Sequence, residues 1–188
     1  MIYRKFGVLA ACVLPVVAAA EVSYNYGEIG YVETEIDTGF GDIDGDGFFI
    51  AGSFEFTDNY FFYGDYTGSN VGFFDVSTLG LGVGFHTTQA APAQFVIKGG
   101  LLRAEVDAGI LGDESETGYG ISVGGRGELS PAVEWDLFAD YADLDDADTG
   151  VSGALRFDVT STFAVGLNAA SGDDVTNFGL HFRWLPFN

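Results

Sequence analysis

The chain has 188 residues, with 28 acidic residues against 7 basic ones, a net charge of −21 and a single cysteine. That balance excludes a nucleic-acid binder, which needs lysine and arginine against phosphate. The lone Cys12 excludes a disulfide framework or a thiolate metal site. With Phe 18 and Tyr 9, the aromatic content also excludes the disorder that strong acidity with few aromatics brings.

Residues 1–20 read as a secretory signal peptide. Arg4 and Lys5 make a basic start, Phe6 to Val17 an apolar run too short to span a bilayer, and Ala18-Ala19-Ala20 a small-residue cleavage site. Leu9-Ala10-Ala11-Cys12 also resembles a lipoprotein signal, which stands as the alternative processing. Residues 21–188 are expected to form one domain, more acidic still once Arg4 and Lys5 are lost.

From there the apolar residues recur with period two. Phe48, Ile50, Phe54 and Phe56 alternate with Phe49, Ala51, Ser53 and Glu55, and Leu79, Leu81, Val83 and Phe85 alternate with a polar and glycine set. The same holds for Val133, Trp135, Leu137, Ala139 and Tyr141, and for Phe178, Leu180, Phe182 and Trp184. Helical spacing does not compete outside the leader. The pattern predicts strands over roughly 22–33, 47–57, 60–68, 73–86, 94–104, 118–129, 133–142, 150–159, 163–170 and 175–184. Two are poorly phased. In the first, Tyr24, Tyr26 and Glu28 share one parity while Ile29 and Tyr31 take the other. In the fifth, Lys98 and Arg103 fall on opposite parities around Gly99-Gly100, which suggests a bulge or the start of a loop.

Amphipathic strands of this length fit a soluble sandwich, apolar face inward, or a transmembrane barrel, apolar face outward. The glycine-rich polar face, aromatics toward the strand ends, and short connections ("TDN", "SPA", "TST") alternating with longer acidic ones favour the barrel. The expected fold is therefore all-β: an antiparallel up-and-down transmembrane β-barrel of ten strands, eight being the alternative count.

"SYNYGEIGYVET", "TDNYFFYGDY" and the closing "FGLHFRW" resemble the small outer-membrane β-barrels of Gram-negative bacteria, the OmpA-type barrel domains and OmpX among them. The resemblance covers the mature chain with loose motifs. It implies the cell outer membrane, insertion by the barrel-assembly machinery, and no catalytic residue. One departure is that Phe187 takes the parity opposite to Trp184.

Two sets of charged residues are candidates for function. Asp42, Asp44 and Asp46, followed by Gly47, match the opening of a calcium loop. The twelfth position is Ser53 rather than glutamate, and strand pattern follows in place of a helix. The segment reads instead as the first of several acidic outer loops. These are either merely solvated or a surface that binds calcium or magnesium weakly and bridges to lipopolysaccharide. The second set is a lumen network: Glu55, Asp65, Lys98, Arg126, Glu128, Glu134, Asp136, Asp140, Arg156, Asp158, His181 and Arg183, with Glu28 joining on the first strand. Charges in a narrow lumen must be paired or hydrated. The set reads as a structural salt-bridge network, with a narrow cation-favouring channel as the alternative. Arg126 with Glu128 and Glu134, and Arg183 with Glu28, are the expected pairs. His86 and His181 are the only histidines, and neither lies beside an obvious nucleophile. The protein is thus expected to be a non-catalytic, monomeric barrel without a cofactor, facing outer-membrane lipid and lipopolysaccharide.

Overall fold

The computed structural model describes residues 22–37, 39, 41–88, 93–107, 109, 112–173 and 175–186. The leader read at residues 1–20 and the off-phase Phe187 lie outside them. Ten strands follow one another: β1 (Tyr26–Asp37), β2 (Asp42–Thr57), β3 (Tyr60–Val71), β4 (Phe74–His86), β5 (Ala93–Asp107), β6 (Asp113–Ser130), β7 (Val133–Asp143), β8 (Ala147–Asp158), β9 (Phe163–Ser171) and β10 (Val175–Trp184). Each pairs antiparallel with its sequence neighbours, and β1 pairs with β10 from Gly27↔Trp184 to Ile36↔Val175, which closes the barrel. An even strand number leaves the start of β1 and the end of β10 on one side, the periplasmic end.

The large apolar side chains point away from the barrel axis. Ile29, Phe54, Leu81, Leu101, Leu137, Leu167 and Phe182 stand outward and exposed on seven different strands. A closed ladder satisfies its own backbone polar groups, so such a surface is stable only against hydrocarbon. Rings border this band at both ends. Phe56, Tyr60 and Phe85 form a chain at the periplasmic edge, with centroids 6.3 and 5.2 Å apart. At the outer edge Phe48 meets Tyr66 at 5.8 Å and Tyr119 meets Tyr141 at 6.1 Å. The protein is an outer-membrane β-barrel.

Three expectations are corrected. The acidic segments are not long loops, because Asp42, Asp44 and Asp46 belong to β2, paired with Asp37, Glu35 and Glu33 of β1. The outer connections, 38–41, 72–73, 108–112, 144–146 and 172–174, are about as short as the inner ones. Above the bilayer a ladder needs no apolar face, so pairing continues where the apolar alternation stops. The first strand also begins later than expected, at Tyr26, because Val22 and Tyr24 turn into the lumen and are buried. Finally, no bulge interrupts β5. Lys98 faces the lumen, Arg103 faces out beside Glu105, and the register shifts lie at Glu55/Thr57 and Glu128/Ser130.

Glycines on the inner face let the wall and its contents approach closely. The ring of Phe61 lies flat on Gly84, where an added Cβ would stand 2.0 Å from its Cζ. At the outer end Gly47 marks a sharp corner. Ser69 and Thr34, from the strands on either side of β2, meet across it at 3.2 Å, and a Cβ on Gly47 would stand 1.9 Å from the Gly68 carbonyl.

Candidate functional site

At the periplasmic end the lumen is filled by a floor with two halves. The ionic half draws on β1, β6, β7, β8 and β10. Glu134 Oε1 accepts hydrogen bonds from Arg126 Nε at 3.0 Å, Arg156 Nη1 at 3.0 Å and Arg183 Nη1 at 2.8 Å. Its Oε2 accepts a further one from Arg126 Nη2 at 2.9 Å. Glu28 Oε1 accepts from Arg183 Nε at 2.7 Å and Arg156 Nε at 3.1 Å, and Arg156 also bonds Asp136. Three guanidiniums meet three carboxylates, so the cluster is formally neutral. Unpaired, each buried ion would cost several kcal/mol, on the order set by desolvation. His181, 1% exposed, stands behind it, with Nε2 3.3 Å from Glu28 Oε1 and Nδ1 3.2 Å from Asn168 Oδ1.

The aromatic half sits on β2 to β5. Tyr24, from the segment before β1, stacks between Phe61 at 4.5 Å and His86 at 4.0 Å, and its hydroxyl donates to Gln94 Oε1 at 2.8 Å. His86 Nε2 lies 2.9 Å from Glu55 Oε1. Two tyrosines join the halves through cation–π contacts. Arg126 stands 4.7 Å from the Tyr24 ring and 5.3 Å from that of Tyr26, and Arg183 stands 3.9 Å from Tyr26. Sequence reading missed Tyr24 and Tyr26 as floor residues, although the parity they share with Glu28 pointed inward.

Asp140 accepts from Ser152 Oγ at 2.6 Å. Glu128 stands opposite Glu134 in the β6–β7 ladder, and Asp158 closes β8 at the exposed periplasmic rim. Asp65 and Lys98 face a cavity of about 340 Å³ above the floor, which Tyr26, Phe49, Tyr63 and Phe138 also line. Among the described residues, neither histidine has a hydroxyl nucleophile as a hydrogen-bond partner.

With its inner end filled, the refolded protein is expected to give no discrete current steps in a planar bilayer. Cation-selective steps that change with Glu134→Gln or Asp136→Asn would make the lumen a conducting path instead.

The second candidate is an acidic belt just above the lipid band. On the outward faces of β1 and β2, carboxylates stand directly opposite one another: Glu33 with Asp46, Glu35 with Asp44, and Asp37 with Asp42. The row immediately beneath is Tyr31 with Phe48, the outer edge of the apolar band. Farther round, Asp75, Asp107 and Asp113 form another like-charge row across β4 to β6. Among the described residues, no group of three or more histidine, aspartate or glutamate side chains is arranged to hold a metal ion by itself.

At the β5–β6 tip the charge of Asp107, and a hydrogen bond to it, hold the Asp113 carboxyl above its ordinary value. The stability this pair contributes is therefore present in acid and is lost as pH rises through the raised value. Carboxyl carbon NMR should find Asp113 titrating above the ordinary aspartate range in the native protein and within it in Asp107→Asn. An Asp113 titration unmoved by that substitution would remove the pairing.

No protein-family model matches the chain, and no curated protein does. Solved structures match it at low identity. Neisserial surface protein A is 14% identical, over 86% of this chain and 97% of that one, with a TM-score of 0.45. Ail, the attachment invasion locus protein of Yersinia pestis, is 15% identical, over 86% and 99%, with a TM-score of 0.43. The beta domain of the Bordetella autotransporter BrkA is 13% identical, over 85% and 98%, with a TM-score of 0.49.

Proposed function

We propose that this protein is a non-catalytic outer-membrane barrel whose role lies at the cell surface, where its acidic belt binds calcium or magnesium and, through the ions, the phosphates of lipopolysaccharide. The observation that carries this reading is the set of three directly opposed carboxylate pairs at headgroup height, Glu33–Asp46, Glu35–Asp44 and Asp37–Asp42. Like charges opposite each other on a sheet are destabilising. A hard divalent cation relieves that repulsion, and it takes six to eight oxygen ligands in the case of calcium. Each pair offers two carboxylates, so the remaining ligands come from water and from the anionic lipid. Asp42, Asp44 and Asp46 act here as one side of a ladder of paired carboxylates, not as a loop that wraps an ion. Insertion by the barrel-assembly machinery and a monomeric state belong to the same reading.

The test is thermal unfolding of the refolded barrel in bilayers with and without lipopolysaccharide, at varied magnesium. Magnesium should raise the melting temperature by several degrees in lipopolysaccharide and little in phosphatidylcholine, and the Glu35→Gln, Asp44→Asn, Asp46→Asn variant should lose the difference. An equal response of variant and parent would sink the proposal.

A further inference from the structure

We propose that the cavity above the floor binds a small zwitterion, with its ammonium group at Asp65 and its carboxylate at Lys98. Both residues were expected to join the lumen salt-bridge network, and neither does. Among the described residues, Asp65 and Lys98 make no ion pair or hydrogen bond with protein. The Asp65 carboxylate lies over Gly80, where an added Cβ would stand 2.7 Å from Oδ1. Lys98 Nζ is held above the Phe138 ring at 4.1 Å and lies 5.8 Å from Tyr63. Asp65 and Lys98 attract each other only at a distance, with no direct ion pair or hydrogen bond, and the hydrogen-bonding capacity each keeps can be met by water or by a guest that carries both complementary groups.

The shape of the cavity sets the class of guest. Asp65 pairs with Gly80 and Lys98 with Gly84, four residues apart along β4, so their backbones are about 13 Å apart along the strand. The Lys98 side chain shortens that offset at the charges, which attract each other without touching, and a short chain with a charge at each end can bridge them. The rings of Tyr63 and Phe138 line the same cavity and offer apolar faces to the chain between the charges. Its 340 Å³ equals roughly eleven waters at ~30 Å³ each, enough for a small organic molecule. Access is from outside. The lining reaches Ala170, next to the end of β9 at Ser171, so on the side of the short strands the cavity extends to the outer mouth.

The experiment is calorimetric titration of the refolded mature barrel with glycine, 4-aminobutanoate and 6-aminohexanoate, with butylamine and butanoate as single-charge controls. At least one of the two longer zwitterions should bind, glycine and the controls more weakly by about tenfold or more, the difference expected when a charge-assisted contact is lost. Asp65→Asn and Lys98→Met should each weaken binding to a similar extent, and Asp65→Glu and Lys98→Arg should restore part of it. A heat-dependent gel shift verifies that each variant is folded. If no zwitterion binds the parent protein better than the single-charge controls, the cavity holds water only and the proposal fails. Binding that is unchanged in folded Asp65→Asn and Lys98→Met overturns it equally. Should those variants not fold, the order of affinities in the parent protein decides alone.

Discussion

Replacing Glu134 by alanine is expected to cost the barrel about 3–5 kcal/mol, the range for removing one partner from a buried charge cluster. Its Oε1 alone serves Arg126, Arg156 and Arg183. Without it Arg126 loses both of its carboxylate bonds, and Arg156 and Arg183 keep only those to Glu28 and Asp136. Buried and still charged, Arg126 would have to draw water into the floor or disturb the tyrosines it covers. Urea unfolding of the barrel refolded into lipid vesicles measures the loss. The control is Glu105→Ala, which removes the exposed Arg103–Glu105 pair, with side chains 53% and 50% exposed against 4% and 16% for Arg126 and Glu134. That change should fall within about 0–1 kcal/mol. Equal effects at the two sites would mean that the floor is hydrated and contributes no more than a surface pair.

Gly124→Ala should be nearly as damaging, for a steric reason. Gly124 lies on the inner face of β6 opposite Phe138, and a Cβ there would stand 2.0 Å from the Leu137 carbonyl oxygen and 2.7 Å from Phe138 Cδ1. A carbonyl within the wall cannot move away without disturbing the β6–β7 ladder, so the cost is placed at or above the ~1–3 kcal/mol typical of overpacking. Gly99→Ala is the matched comparison, since its Cβ would meet nothing nearer than the Gly120 carbonyl at 3.9 Å. Refolding yield and urea midpoint should fall for the first and stay for the second. A Gly124→Ala barrel as stable as its parent would show that β6 and β7 adjust freely at this point.

The strand count and the two faces of the wall were legible because a half-lipid, half-lumen strand imposes period two on the chain, as from Val133 to Tyr141. The outer ends were not. At Asp42 to Gly47 the apolar alternation gives way to acid, and acid without apolar residues reads as loop, whereas backbone hydrogen bonds carry β2 on to Asp42. Arg103 misled for a related reason: it faces outward on β5, above the lipid row that contains Leu101, so its parity differs from that of Lys98 without any bulge. In the floor the residue types were legible and the partners only partly so. Arg126 with Glu134 and Arg183 with Glu28 are neighbours in sequence or across the barrel seam. That Arg183 also reaches Glu134, and that Lys98 makes no direct ion pair among the described residues, depends on the stagger of the closed barrel, which no single strand encodes.

The ionic floor also has a place in the order of folding. Glu28 meets Arg156 and Arg183 across 128 and 155 intervening steps of chain, so its part of the cluster cannot form until the first and last strands have met. Contacts so distant in sequence contribute only after the entropy of closing the ring has been met. In an unclosed sheet Arg126 and Arg156 would keep Glu134 and Asp136 on the neighbouring strand, Arg183 would lack Glu28, and closure would complete the cluster. The floor would then act as a latch. It distinguishes a finished barrel from one still open at the seam.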